Sequence, residues 1–538
     1  ACILIFSKAF VDYCTSGLEN PLTHLILIVT LVVFLDEARM DFGRLLLIAL
    51  LAGWGTLNRM DTLLIFLPIL ASAAIRYRRP RALLALALGF IPFIAWEAFC
   101  LVYYGFPFPN TAYAKLGTGI GSAELLEQGL FYFLDSLELD PVTLFVVVLS
   151  LAVPFIRRDL KDAVVGLGIV LYCLYVLKIG GDFMSGRFLT APFVCAAVLV
   201  ARLPWPSSAS TWLAVVLVGV LGWSSPLNPV RSSKAYDHKD DNNGIVDERG
   251  FYFYATGLLN STRNFRIPRG HLFVKQAERE KAAAAKKALS DQKHVARNTS
   301  VGIFGYYCGP RIHVLDVHGI TEPLLARLPA MYSPNWRIGH TKRSIPRGYE
   351  RTLASGENLL SDENLAAYYD KLVTITRGRI FSWKRFVTIV KMNTGAYDHL
   401  IDEDAYLYPG RLHVGISRID KPKRSGTPWD GPGTRVLPNS GISIDLEGIV
   451  HASELEISLD HNDDYKILYQ MGDTLLATAI IESSRMKTGG LAVHRVEVPQ
   501  EAARKGYDTL VVMPHAGDKK YSLGHVLLAE PAPPLTGH

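Results

Sequence analysis

Cysteine is scarce in this chain. Of 538 residues only six are cysteine, at Cys2, Cys14, Cys100, Cys173, Cys195 and Cys308, and only Cys308 lies in the polar part. A disulfide framework is therefore excluded there. No stripe of cations interleaved with aromatics runs along the chain, so the net charge of +6 points away from nucleic acid and suits a membrane surface. No internal repeat is visible, and the charges sit at the ends of apolar runs, whereas a transporter or flippase would show repeats and charges deep within its helices. No Rossmann fingerprint is present, and Gly305 alone is weak support for a phosphate loop. The run DHKDDNNG at Asp237–Gly244 holds Lys239 where an EF-hand loop needs an acid, which makes it a solvated loop. From Ala405 onward there is no acid and histidine cluster at metal spacing and no nucleophile paired with a base, so no second catalytic centre is expected there.

What the chain does have is apolar length. Hydrophobic residues make up 49% of it, with a mean hydropathy of +0.20, and the long runs are concentrated in Pro21–Trp223. Eight runs follow one another: Pro21–Leu35, Leu45–Leu57, Thr62–Ile75, Leu83–Tyr104, Val142–Ile156, Ala163–Ile179, Phe188–Val200 and Thr211–Trp223. Each is long enough to span a bilayer or nearly so, and eight in succession fit buried soluble helices poorly. The chain opens within a further apolar run, Ala1–Phe6, which leads us to expect a fragment whose upstream part carries earlier membrane helices.

Cations in alternate loops set the orientation. Arg39 and Arg44, Arg76 to Arg81, Arg157, Arg158 and Lys161, and Arg202 fall in one set, expected to be cytoplasmic. The other set gathers the unusual residues: TSGLENP at Thr15–Pro21, NRMD at Asn58–Asp61, FPFPNTAYAK at Phe106–Lys115 and GGDFMSGRF at Gly180–Phe188. Everything after Trp223 follows on that outer side. A charge at mid-membrane costs about 2.5–3.5 kcal/mol, so Asp182 and Arg187, set between apolar runs, mark either a working site or a tight turn whose charges reach water. A site on this side that takes an anionic ligand at the membrane surface must hold it with cations. Arg59, Arg187 and Lys115 are the candidate clamps, and Asp61 and Asp182 could orient them, contact sugar hydroxyls or hold a metal. Glu19 and Asn20 are either site residues or a helix cap before Pro21. In the long outer loop, Gly121–Leu139 has the pattern of an amphipathic helix, with Leu125, Leu126, Leu130, Phe133 and Leu134 against lipid or protein.

Beyond Trp223 two regions follow, 225–404 and 405–538. In the first, Lys275–Lys287 reads as a charged surface helix, and Asn298–Arg327 as a strand, a glycine turn, a second strand ending at Asp316 and His318, and a helix. Arg337–Tyr349, RIGHTKRSIPRGY, places His340 among Arg337, Lys342, Arg343 and Arg347, as a solvated basic loop or a phosphate contact. In the second, ELEISLD at Glu454–Asp460 alternates strictly, with Leu455, Ile457 and Leu459 facing inward. Ala492–Val498 and Leu510–Met513 are further strands of a small sandwich. Tyr406, Tyr408 and Trp429 look like exposed aromatics suited to stacking on sugars. The fold class expected is a multi-pass α-helical membrane protein with a C-terminal extracytoplasmic α/β region and a β-sandwich.

Several motifs together resemble one family. SKAFVDYCTSGLENPLTH, NRMD, FPNTAYAK, GGDFMSGRF, DVHGITEPLLAR and RIGHTKRSIPRGY are similar to the terminal β-1,2-arabinofuranosyltransferases of mycobacteria and their relatives. These belong to the GT-C superfamily of polyprenyl-phosphate-dependent membrane glycosyltransferases. The resemblance runs from Ser7 to about Tyr349 and more loosely beyond. It implies a multi-pass protein of a bacterial plasma membrane and a polyprenyl-phosphate-linked sugar donor such as decaprenyl-phosphoryl arabinofuranose. It also implies a polysaccharide acceptor outside the membrane, inversion at the anomeric carbon and no cofactor, though a divalent metal stays open. Within these motifs, Asn110, His318 and His340 join Glu19 and the clamps as substrate-binding candidates, and Asp182 and Asp61 are the catalytic candidates. The family's general base is an aspartate in the first extracytoplasmic loop, which we expect upstream of Ala1. A transferase of the same fold with another sugar or a protein acceptor is the alternative, and a lipid or glycan transporter a more distant one.

Overall fold

All eight apolar runs are helical, six as one helix each and two as broken pairs. The computed structural model describes residues 1–230, 243–257, 271–286, 293–331, 336–403, 406, 411–413, 435–482, 491–518 and 521–529. The chain divides into two compact units: residues 1–327, 336–341 and 347–400 form the first, and 328–335, 342–346 and 401–538 the second.

In the first unit, short α1 (Cys2–Phe6) and α2 (Lys8–Cys14) precede α3 (Asn20–Leu35), α4 (Phe42–Asn58) and α5 (Leu63–Tyr77). The run Leu83–Tyr104 becomes two helices, α6 (Ala82–Gly89) and α7 (Ile91–Tyr103), bent by 49°. Pro92 in the first turn of α7 cannot donate to the ladder, which accounts for the break. After α8 (Asn110–Leu116), α9 (Ser122–Leu139) turns by 110° into α10 (Pro141–Ser150) and α11 (Val153–Arg157). The Asp140 carboxylate accepts from Thr143 N–H, and Pro141 starts α10, so the corner is both capped and stiffened. Helices α12 (Leu160–Lys178), α13 (Thr190–Ala201) and α14 (Ser208–Ser224) complete the apolar set. Among the described residues, two stretches, Met60–Tyr77 and Leu160–Lys178, have the length and composition to cross a bilayer, or four if each bent pair is one span. The helices α3, α4, α13 and α14 are shorter apolar helices.

Polarity is arranged inside out for a water-soluble bundle. Thr30, Thr56, Thr143, Ser150 and Asp162 are buried, while Leu25, Val32, Leu83, Val148, Trp212, Leu213 and Val220 are exposed. Buried hydroxyls return their hydrogen bonds to the helix, as Thr30 does to Ile26 O and Thr56 to Ala52 O, both at 2.8 Å. On α9, Leu126, Leu130, Leu134 and Leu137 lie outward, and Tyr132, Asp135 and Ser136 are buried. The helices approach closely where side chains vanish: a Cβ on Gly89 would lie 2.4 Å from the Ala49 Cβ, fixing α6 against α4. The helix ends segregate by charge. At one end Arg44 pairs with Asp36, Arg157 and Arg202 share Asp162, and Lys161 Nζ reaches Asp36 O at 2.8 Å. These are loops assigned to one side by their cations. At the other end lie Glu19, Arg59, Asp61, Asp182 and Arg187.

Beyond α15 (Glu248–Thr256) and α16 (Leu272–Lys286), a small parallel pair differs from the sequence expectation. Strand β1 is His294–Asn298, upstream of the expected one, and GIFGYYC forms a helix, α17 (Gly302–Cys308), that crosses to β2 (Ile312–Asp316). Parallel strands need a crossover, and the helix supplies it. The expected helix after His318 is one 3-10 turn, Leu325–Arg327. Helices α18 (Tyr349–Ser355), α19 (Glu363–Arg377) and α20 (Trp383–Asn393) follow.

The second unit holds β3 (Arg411–His413), β4 (Arg435–Leu437), β5 (Ile442–Val450), β6 (Glu454–Asp460), β7 (Asp464–Met471), β8 (Thr474–Ile481), β9 (Leu491–Glu497), a short helix α21 (Gln500–Lys505), β10 (Tyr507–Ala516) and β11 (Tyr521–Ala529). They form two sheets, β5-β10-β7-β8 and β3-β11-β6-β9, with β4 also on β11. Ile444, Ile467 and Leu510 from one and Leu455, Ile457 and Leu523 from the other share a core, which makes a sandwich. The outer face of β6 is also covered: Glu456 is buried and accepts from Arg495 Nε at 3.0 Å. Tyr406 is buried, so it is no exposed platform; Tyr408 and Trp429 lie outside the described residues.

Candidate active site at one end of the helices

The glycine-rich loop between α12 and α13 carries the centre of a charge cluster. Gly180, Gly181 and Gly186 have φ of +82°, +69° and +73°, and a Cβ on Gly181 would meet the Tyr132 ring at 2.4 Å. Tyr132, from the inward face of α9, braces the loop on both sides: its hydroxyl donates to Met184 O at 3.1 Å and accepts from Phe188 N–H at 3.0 Å. Ser185 donates to Asp135 at 2.6 Å, its carbonyl accepts from the Tyr13 hydroxyl at 3.0 Å, and its N–H donates to Val246 O. The loop is thus held from three directions.

Arg187, so held, donates to Asp182 Oδ2 at 3.2 Å and to both Glu19 oxygens at 2.9 and 3.1 Å. Its buried Nε has no partner. Arg59, at the end of α4, grips Asp61 through two parallel bonds of 2.7 and 2.8 Å and reaches Glu19 Oε1 at 2.8 Å. The Tyr172 hydroxyl of α12 donates to Asp61 Oδ2 at 3.2 Å. The Phe188 ring lies 4.2 Å below the Arg59 guanidinium and 5.9 Å from that of Arg187. Glu19 therefore bridges two arginines from different elements. Burial alone would raise its carboxyl, but Arg187 and Arg59 outweigh burial and lower it, so it stays ionised. It occupies the cap position of α3 without capping through its side chain. Asn20 is a strut: its amide donates to Thr190 Oγ1 at 2.9 Å and to Arg187 O at 3.3 Å.

A second group adjoins through Phe183, whose N–H donates to Asp182 Oδ1 at 2.9 Å. Its ring meets the His340 ring edge-on at 4.3 Å, with Lys115 Nζ at 5.8 Å and the Arg337 guanidinium at 5.5 Å. The His318 ring is 5.4 Å from that of His340. Burial first, then the neighbouring Arg337 charge, pushes the His340 imidazole down to about 4, so it is neutral near pH 7. Asn110 does not join either group. Its amide donates to the carbonyls of Gly319, Ile320 and Glu322 at 3.0–3.2 Å, and its oxygen accepts from Arg327 at 3.0 Å, so it fastens the loop after His318.

Seven of the residues selected from the motifs thus fall into the two adjoining groups with Glu19, and Asn110 supports them from behind. Tyr132, Asp135, Tyr172, Phe188 and Tyr13 were not singled out. The first two were visible as the polar stripe of α9 opposite its leucines, at spacing i, i+3. Behind the loop, Lys8, Asp12, Asp247 and Arg249 form buried ion pairs that tie α2 to the start of α15. Among the described residues no group of three or more His, Cys, Asp or Glu is placed to hold a metal.

The first unit thus combines apolar helices that turn leucines outward with two arginines that share one carboxylate at one helix end. Comparison with known proteins finds two relatives. The chain is 29% identical over 417 residues to the terminal beta-(1->2)-arabinofuranosyltransferase of Mycobacterium tuberculosis, covering 62% of this chain and 64% of that protein. It is 29% identical over 330 residues to the protein of the same name from Corynebacterium glutamicum, covering 49% and 45%. The resemblance that the motifs carry is thus matched by two curated proteins of that name. It spans less than two thirds of the length of these curated relatives. No protein-family model and no solved structure matches it.

Proposed function

We propose that the protein is an inverting membrane glycosyltransferase of GT-C type that moves arabinofuranose from a polyprenyl-phosphate donor to a cell-envelope glycan outside the cytoplasm. The observation that carries this reading is the pair Arg59 and Arg187, 2.8 and 2.9 Å from one Glu19 oxygen, at the helix end opposite the cation-rich loops. The Glu19 carboxylate stands where a lipid phosphate would sit, and a phosphate diester could take both guanidinium groups in its place. The exposed leucines on the helices suit hydrocarbon, the rich positive charge at the far end suits the cytoplasmic side, and the relatives' names supply the sugar.

In this reading the acceptor hydroxyl oxygen attacks the anomeric carbon. The bond from that carbon to the phosphate oxygen breaks with its electron pair, and Arg59 and Arg187 neutralise the charge that collects on the departing phosphate. Asp61 and Asp182 are positioning residues, because the lone pairs they turn to Arg59, Tyr172, Phe183 and Arg187 are engaged in aiming the cations. The hydroxyl proton passes to a carboxylate outside this pair. The leaving phosphate needs no cofactor. Phe183, His340, His318 and Lys115 form an aromatic and polar wall suited to a sugar ring beside it.

The test is turnover of decaprenyl-phosphoryl arabinofuranose with an arabinan acceptor in nanodiscs. Arg187→Ala should lower the rate at least about tenfold, and Arg187→Lys should recover only part of it, since an ammonium cannot make the two-pronged contact. Unchanged turnover in the alanine variant, in protein shown to be folded, would sink the reading.

A further inference from the structure

The turn between α19 and α20 carries large apolar side chains that nothing in the first unit covers. Phe381 is 85% exposed and Trp383 82%, with Ile380 also exposed. Around them Arg377, Arg379 and Lys384 are exposed. In water such a patch is unfavourable, and contiguous exposed aromatics mark a contact surface.

The place of this turn is fixed by the end of α7. Arg385 is buried, and its guanidinium donates to Tyr103 O at 2.8 Å, to Val102 O, to Ile375 O at 2.8 Å and to Ile380 O at 3.2 Å. The carbonyls of Val102 and Tyr103 belong to the last turn of α7, where intrahelical donors have run out. A cation there also meets the negative end of the helix dipole. Asn393 donates to Gly105 O at 2.8 Å, and a Cβ on Gly105 would lie 2.1 Å from Ile375 and 3.3 Å from Ile389. The chain leaving α7 is therefore wedged between α19 and α20. One nitrogen of Arg385 serves both Val102 O and Ile380 O, which puts Ile380, and Phe381 beside it, level with the last turn of α7.

That last turn is aromatic on its outer surface. Phe99 and Tyr103 stack with centroids 5.1 Å apart, Tyr104 meets them edge-on at 6.0 and 5.0 Å, and all three are exposed, beyond the exposed Ile91 and Ile94. Tyrosines and tryptophans gather where hydrocarbon gives way to headgroups, with cations reaching to lipid phosphates. We infer that the Ile380–Lys384 turn inserts Phe381 and Trp383 into the headgroup boundary of the leaflet on the charge-cluster side. The occupant of the patch is thus the bilayer itself, with Arg377, Arg379 and Lys384 on lipid phosphates. The argument is continuity with the aromatic end of α7 and the matching ring of cations. It rests on the membrane reading above.

The experiment compares wild type with Trp383→Phe in vesicles of phosphatidylcholine and phosphatidylglycerol. The Trp383 emission, taken as their difference, should fall about twofold when the phosphatidylcholine is brominated near the headgroup end of its chains, and should resist iodide in the water. Phe381→Asp, at an exposed position, should leave the melting temperature in detergent unchanged yet make Trp383 accessible to iodide. Emission indifferent to brominated lipid and quenched by iodide in the wild type would overturn the insertion while leaving the transferase reading intact. Protein that fails to float with the vesicles would overturn the membrane reading itself.

Discussion

Glu19 holds two arginines that the proposed donor needs. Its carboxylate competes with any phosphate for the same guanidinium groups, so Glu19→Gln should bind a polyprenyl phosphodiester about tenfold more tightly than the wild type, measured by competition in nanodiscs. Equal or weaker binding would show that Glu19 only supports the fold. His340 makes a second residue-scale prediction. Its imidazole is pushed down to about 4 from the ordinary 6.5. Between those values the unfolded chain takes up a proton that the folded one refuses, so stability falls as pH drops from about 6.5 toward 4. His340→Gln should lose less melting temperature than the wild type between pH 7 and pH 5. The arginines and acids were legible in the sequence, because charges beside hydrocarbon stand out. The partnership of Glu19 was not: before Pro21 an acid has the same pattern whether it caps the helix or leaves its side chain free. Nor was the detachment of Asn110, which depends on three carbonyls more than two hundred residues away.

At the scale of elements, helices were readable from their apolar length, and so was the boundary between the amphipathic α9 and the apolar α10, where Asp140 and Pro141 turn the chain. The bend inside the fourth run was not, because Pro92 breaks it through local backbone chemistry within a run of uniform hydropathy. The segment SVGIFGYYCG misled for a related reason. Its aromatics favour a strand on propensity, but the parallel pairing of β1 with β2 demands a crossover helix in that place. The strands of the sandwich were legible by alternation, although β6 buries both faces and Glu456 of its polar set pairs with Arg495. Helix packing gives the testable case. Gly89→Leu would drive a side chain into Ala49 and the backbone of Leu50, and α4 leads directly to Arg59. We expect a lower melting temperature and a loss of activity together, whereas Gly219→Leu, where a Cβ meets nothing within 4 Å, should leave both unchanged.

For the molecule as a whole, the separation of charge between the two helix ends fixes the expected orientation. Arg44, Arg157 and Arg202 cluster at one end and the Arg59–Arg187 site at the other. The chain after α14 should then lie outside the cytoplasm, and a reporter fused after Gly250 should be active only there. Activity confined to the cytoplasm would reverse the assignment.

One dipeptide has a consequence for the order of events. Asp182 faces Arg187, and Phe183, the next residue, faces His340, Lys115 and Arg337. A single peptide plane joins the two groups, and the loop that bears it is anchored through Tyr132, Ser185 and Val246, so the plane has little freedom to rotate by itself. On the proposed reading, a phosphate on the arginines and a sugar against the Phe183 ring would share this one braced hinge point, so the two binding events should be coupled and should not behave as two independent locks.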